Sequence, residues 1–235
     1  MNLLAANPAA RVKPPQLKKR KRVVPLTDAE KARFLEAVKG DRCENLFIVA
    51  LGTGMRLGEL LSLTWDQVDF ATSTISVVNL ISKGGGEVNE GKTENSKRTV
   101  PTFPEVYRAL KDQRARQAQD KLKAGPMYED RGLVFSNQVG GPLDPGNLRN
   151  RHYKPALERA GLPRGTHFHA LRHTFATSLL RQGVGVEKVS AWLGHANPGF
   201  TYRVYYHHIP QKLDPGEAER LNAILFGGDG KKNTR

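Results

Sequence analysis

The chain has 235 residues, 38% hydrophobic and 26% charged, with 37 Lys+Arg against 23 Asp+Glu and a formal net charge of +14. That length and balance give a globular chain material for a core and exclude a disordered or fibrous one. No apolar run reaches the roughly 18 residues of a membrane span, the lone Cys43 excludes an internal disulfide, and the positive charge favours a polyanionic partner, nucleic acid first.

Residues 11–22, RVKPPQLKKRKR, hold seven basic side chains (Arg11, Lys13, Lys18, Lys19, Arg20, Lys21, Arg22) and no acidic one, half of the net charge. Pro14 and Pro15 oppose a helix, so this is an extended basic arm able to strap along phosphates, a solvated tail being the plain alternative. Thr27 and Glu30 form a capping box that opens a helix with Phe34, Leu35 and Val38 on one face. The run 46–51 reads as a buried helix stopped near Gly52 and Gly54, and a short helix follows at 57–63. Alternation over 73–81 predicts a strand, Gly84–Gly86 a hairpin turn, and 98–101 a second strand, with Lys92 between. A charged helix is expected over 103–123, then helices near 145–161, 169–182, 186–193, 198–206 and 217–226. The expected class is mainly α with a small antiparallel β-sheet, α+β.

Chemistry-bearing residues gather in four segments: TGMRLGELLSLTW with Arg56 and Glu59, GKTENSKRTVP with Lys92, HFHALRHTFATSLL with His169 and Arg172, and LGHANPGFTYRVYYHH with His195 and Tyr205. His169 and Arg172 stand three apart, on one helical face. His167, His169 and His173 invite a zinc reading, but no cysteine or carboxylate cluster completes a site, so no metal or other cofactor is expected. His173 reads instead as a packing histidine at the edge of the site, Phe168, Leu171, Phe175, Leu179, Trp65 and Trp192 as core, and Tyr202 as helix packing.

The ordered boxes TGMRLGELL, Lys92 in a hairpin, HALRHTFAT and LGHANP, followed by Tyr205, resemble the tyrosine recombinase family of phage integrases and Xer-like resolvases from about Val24 to Pro210. The resemblance implies a catalytic domain that cleaves and rejoins double-stranded DNA through a 3′-phosphotyrosyl intermediate, without metal or ATP. It implies Arg56 and Arg172 as phosphate clamps, Lys92 as acid for the 5′-oxygen, His169 as base, His195 as a hydrogen-bond donor to a non-bridging oxygen, and Glu59 as a salt-bridge partner of the first arginine. Tyr205 is the expected nucleophile, ahead of Tyr206. Residues 1–24 read as the end of a preceding N-terminal domain plus a basic linker, and 25–235 as the catalytic domain. A tetramer on two DNA sites, monomeric when free, is expected, with the last helix packing in cis or onto a neighbour through Leu221, Ile224, Leu225 and Phe226. The opening residues lack the basic and apolar regions of a secretory signal, so a cytoplasmic, DNA-associated protein is expected. Alternatives are a type IB topoisomerase-like relaxing enzyme or a non-catalytic DNA-binding regulator.

Overall fold

The computed structural model describes residues 23–78, 80–82, 88–90, 97–209 and 215–226. Helix α1 (Asp28–Ala37) opens on the expected capping box: Thr27 N donates to Glu30 Oε2 at 2.8 Å, and Glu30 N donates to Thr27 Oγ1. Its Phe34 ring meets Phe47 edge-on at 5.6 Å and Tyr153 at 5.8 Å. Helix α2 (Glu44–Thr53) carries Phe47 and buries Leu46, Val49 and Ala50. It runs through Gly52, which was expected near its stop, and ends at Gly54. There φ is +63°, and a Cβ would lie 2.5 Å from the Phe175 ring, so the turn needs glycine on both counts. Helix α3 (Leu57–Leu61) is two residues shorter than expected.

The strands are β1 (Val68–Asp69), β2 (Thr74–Val78), β3 (Leu80–Ser82), β4 (Val88–Glu90) and β5 (Lys97–Pro101). The first sheet has the order β1-β2-β5, antiparallel, with Ile75 opposite Val100 and Val77 opposite Arg98. β3 and β4 pair separately. The turn Gly84–Gly86 and Lys92 lie outside the described residues.

Helix α4 (Pro104–Ala124) lays Val106, Ala109 and Leu110 into the core. Two of its amides pin the turn around residue 134, Gln113 Nε2 donating to Val134 O at 3.1 Å and Gln117 Nε2 to Leu133 O at 2.7 Å. The single helix expected over 145–161 is instead α5 (Pro145–Asn147), a π-turn (Leu148–Tyr153) and α6 (Lys154–Arg159). Pro155 supplies the reason. It has no N–H for the carbonyl four residues back, and its ring crowds that carbonyl, so the ladder widens and Lys154 N donates five residues back to Arg149 O. Helices α7 (His169–Arg181), α8 (Val186–Leu193) and α9 (Pro198–Tyr205) follow closely on expectation, with a 3₁₀ turn (Tyr206–His208) and α10 (Pro215–Phe226).

Two apolar clusters result. The larger joins α1, α2, α4, α6 and the first sheet; the smaller holds Phe175, Ala176, Leu180, Val189, Leu193 and Tyr205. Leu171 and Phe175 are buried as expected, whereas Phe168, Leu179, Trp65 and Trp192 are half-buried and pack against the clusters. Tyr202 packs along the helix surface and not into the core: it is 49% exposed, its ring 5.1 Å from that of Tyr206. Ile224 on α10 is exposed rather than on a side buried in cis. Among the described residues no helix is long and apolar enough to cross a membrane.

Candidate active site

The ends of several elements meet at one place. Arg56 precedes α3 and acts as its N-cap residue, His169 opens α7 with Arg172 one turn on, His195 follows the Gly194 cap of α8, and Tyr205 closes α9. The two arginines sit differently. Arg172 is buried, Nη1 donating to Gly54 O at 2.8 Å and Nη2 to Leu193 O at 2.6 Å. Burial first, then the charge of Arg56, lowers its pKa to about 10, so it remains a cation at neutral pH. The Arg56 side chain is 42% exposed and commits Nη1 to Glu59 Oε1 at 2.7 Å.

Glu59 is buried beneath Arg56 and accepts from its backbone N as well, at 2.7 Å. It also takes a two-pronged bond from Arg98, Nη1 to Oε1 at 3.0 Å and Nη2 to Oε2 at 2.7 Å. Burial pushes the Glu59 carboxyl upward, but the hydrogen bonds and charges of Arg98 and Arg56 outweigh it and hold it below its ordinary range. The sequence places Arg98 in a strand without marking it as a site residue. Its signal was there: in β5 it shares a face with the buried Val100, and a charge at an inward strand position needs a buried counter-charge.

His195 Nε2 lies 3.0 Å from Arg172 Nη2, and its Nδ1 lies 2.7 Å from Thr201 Oγ1. A guanidinium only donates, so Nε2 accepts, and the neutral tautomer carries its proton on Nδ1 and donates to Thr201. Burial, then Arg172, Arg56 and Arg98, lowers its pKa to about 4. The donor expected to face a phosphate is thus turned inward in this state. Thr201, fully buried, was the other residue the sequence did not reveal.

His173 stands between His169 and Tyr205, its ring 4.9 Å from the first and 5.3 Å from the second. Burial and then His169 lower its pKa to about 4, and burial followed by Arg172 and Arg56 lowers that of His169. Tyr205 is 3% exposed. Burial raises its phenol to about 12, with Arg172 pulling the other way. Making phenolate at pH 7 then costs about 7 kcal/mol, against roughly 4 for a free tyrosine. Tyr205 also lines an open cleft of about 270 Å³ with Val23, Pro25 and His173. Arg11, Lys13, Lys18, Lys19, Arg20, Lys21, Arg22 and Lys92 lie outside the described residues.

Among the described residues, the group spaced to hold a metal ion is Asp41, Cys43 and His152, none of them among the residues above. Asp41 Oδ1 already accepts from Cys43 N and pairs with His152 Nδ1, both at 2.8 Å. Arg116 donates to the Asp41 carbonyl. Those bonds account for the group as a loop clasp.

A model of the phage integrase family matches residues 25–212. The chain is 40% identical over 214 residues to a tyrosine recombinase XerC-like protein of Caldanaerobacter subterraneus subsp. tengcongensis, spanning 85% of this chain and 54% of that one. It is 33% identical over 202 residues to an integrase of Streptomyces ambofaciens, spanning 81% and 51%. The chain thus covers about half the length of these curated relatives. A solved structure of the Tn1549 transposon integrase in complex with a circular intermediate DNA superposes with a TM-score of 0.66 at 25% identity, covering 88% of this chain and 67% of that one.

Proposed function

The chain belongs to the phage integrase family, and from that premise we propose that it cleaves and rejoins double-stranded DNA as the catalytic part of a site-specific tyrosine recombinase. Arg56 and Arg172 hold the non-bridging oxygens of the scissile phosphate, answering the charge that builds in the five-coordinate transition state. Once the phenol is carried past His173 to His169, the Tyr205 oxygen attacks phosphorus and passes its proton to that imidazole. The bond to the 5′-oxygen breaks, that oxygen takes a proton from Lys92, and a 3′-phosphotyrosyl link conserves the phosphodiester energy for rejoining. The steps need neither metal nor ATP.

Arg172 supports this reading most. One guanidinium joins the Gly54 carbonyl, two residues before Arg56, to the Leu193 carbonyl, two residues before His195, and its charge reaches Tyr205. When Arg172 turns to a phosphate it releases His195 Nε2. The Thr201 hydroxyl, able to donate as well as accept, then supports the tautomer whose Nε2–H points at the substrate. The high cost of phenolate argues for proton loss during attack rather than before it.

The seven basic side chains of residues 11–22 neutralise phosphates of the DNA backbone. If about five phosphates are neutralised, log affinity falls against log salt with a slope near −4 to −5. Synapsis of two sites calls for a tetramer. The test is incubation, in excess chelator, with nicked duplexes covering the DNA that adjoins the protein's own reading frame. A protein–DNA adduct that survives denaturant supports the proposal; cleavage that requires a divalent ion contradicts it, and site-indifferent relaxation of supercoils would mark a topoisomerase instead.

A further inference from the structure

Arg98 touches both halves of the site. Its Nη atoms take both oxygens of Glu59, its Nε donates to Trp192 O at 2.8 Å in the last turn of α8, and its side chain is 7% exposed. The next carbonyl along, Leu193 O, accepts from Arg172. Gly194 then turns with φ +66°, and a Cβ there would stand 2.8 Å from Arg98 Nη1, so guanidinium and turn fill one space before His195. β5, which carries Arg98, is also the strand that follows Lys92.

The charges make the arrangement specific. Glu59 is buried and ionised, and a buried carboxylate draws on whatever cation is nearest. Arg98 engages both of its oxygens in the forked geometry that suits a carboxylate. Arg56 therefore gives Glu59 a single Nη1 and keeps the rest of its guanidinium, 42% exposed, directed elsewhere. Without Arg98 the carboxylate would close on Arg56, quenching the charge that a phosphate needs.

We propose that Arg98 is a positioning residue: by neutralising Glu59 and bracing the Trp192–Gly194 turn, it keeps Arg56 cationic and oriented for the scissile phosphate and sets His195 against Arg172. This rests on the phosphotyrosyl reading above. It is tested with Arg98→Met, Arg98→Lys, Arg56→Ala and the double variant Arg98→Met/Arg56→Ala, after thermal melts have fixed a temperature at which all are folded. Under single turnover on a nicked duplex, Arg98→Met should slow adduct formation by about 10²-fold, the scale of a lost electrostatic stabiliser, with DNA affinity changed less than about threefold. Arg98→Lys, which restores charge without the fork, should recover about tenfold of that loss. In the Arg56→Ala background Arg98→Met should cost about tenfold or less, because only its hold on the Trp192–Gly194 turn is left to lose.

An adduct rate within threefold of wild type in Arg98→Met, or a full multiplicative loss in the double variant, overturns the proposal. A readout without turnover separates it from the activity itself. The Arg56 Nε–Hε NMR signal, assigned by its loss in Arg56→Ala, should shift in Arg98→Met as Glu59 re-pairs. An unmoved signal refutes the positioning role. An absent adduct in wild type would sink the phosphotyrosyl reading, and the NMR comparison would still decide the role of Arg98.

Discussion

The larger apolar cluster interlocks the rings of Phe34, Phe47, Tyr153 and Phe168 with centroids 5.3 to 6.3 Å apart, whereas the smaller one gathers Phe175, Ala176, Leu180, Val189 and Leu193 around the Tyr205 ring. Beside the small cluster, Phe200, Tyr202, Val204 and Tyr206 remain exposed. Arg56 follows directly from the scaffold, through α2 and the Gly54 turn; the proposed nucleophile hangs on a lightly packed helix. The division suits a site in which Arg56, Glu59 and Arg98 stay in place while Arg172, His195 and the phenol are rearranged when substrate arrives. Local opening is easiest where few apolar contacts hold a segment.

Cutting the link between the two regions should have the largest effect. Arg172→Ala leaves Gly54 O and Leu193 O buried without their donor, so adduct formation should fall by about 10²- to 10³-fold. Stability should drop by about 2–5 kcal/mol, read from urea unfolding. Phe47→Ala strikes the large cluster alone: a loss of about 3–5 kcal/mol is expected, with the single-turnover rate nearly unchanged at temperatures where the variant is folded. A rate loss as large as that of Arg172→Ala would erase the distinction between scaffold and site. Gly194→Ala forces an L-residue to φ +66°, at about 1–2 kcal/mol, and displaces Arg98, so here activity should suffer more than the melting temperature.

The smallest effect expected is on pH. His173 and His195 are held to about 4 in the fold, below their ordinary value near 6.5, so the unfolded chain binds the extra protons first as pH falls. The stability they allow is present above about pH 6.5 and is lost progressively towards pH 4. Urea midpoints measured at pH 7 and pH 5 should show that loss, and His195→Gln should reduce the difference between them. A midpoint gap unchanged by His195→Gln would mean that the imidazole is not neutral in the fold.

Most of the architecture was legible because it is written locally. The Thr27–Glu30 box, the three-residue spacing of His169 and Arg172, and the strand alternation each need only neighbours to be read. What escaped depends on distant partners. Arg98 has meaning only through Glu59 and Trp192, and Thr201 only through His195. The π-turn was signalled by Pro155 but not its consequence for the ladder. The depth at which Tyr205 sits could not be read from FTYRVYY, where three tyrosines look alike until α9 is packed against α7.

Proteolysis of the covalent DNA adduct and sequencing of the linked peptide by mass spectrometry tests the central claim most directly. Trypsin cutting after Arg203 would leave VYYHHIPQK, and fragmentation distinguishes its two tyrosines. The account predicts the phosphoryl link on Tyr205, and no adduct from Tyr205→Phe. A link on Tyr206 or Tyr202, or an adduct that survives Tyr205→Phe, would contradict it.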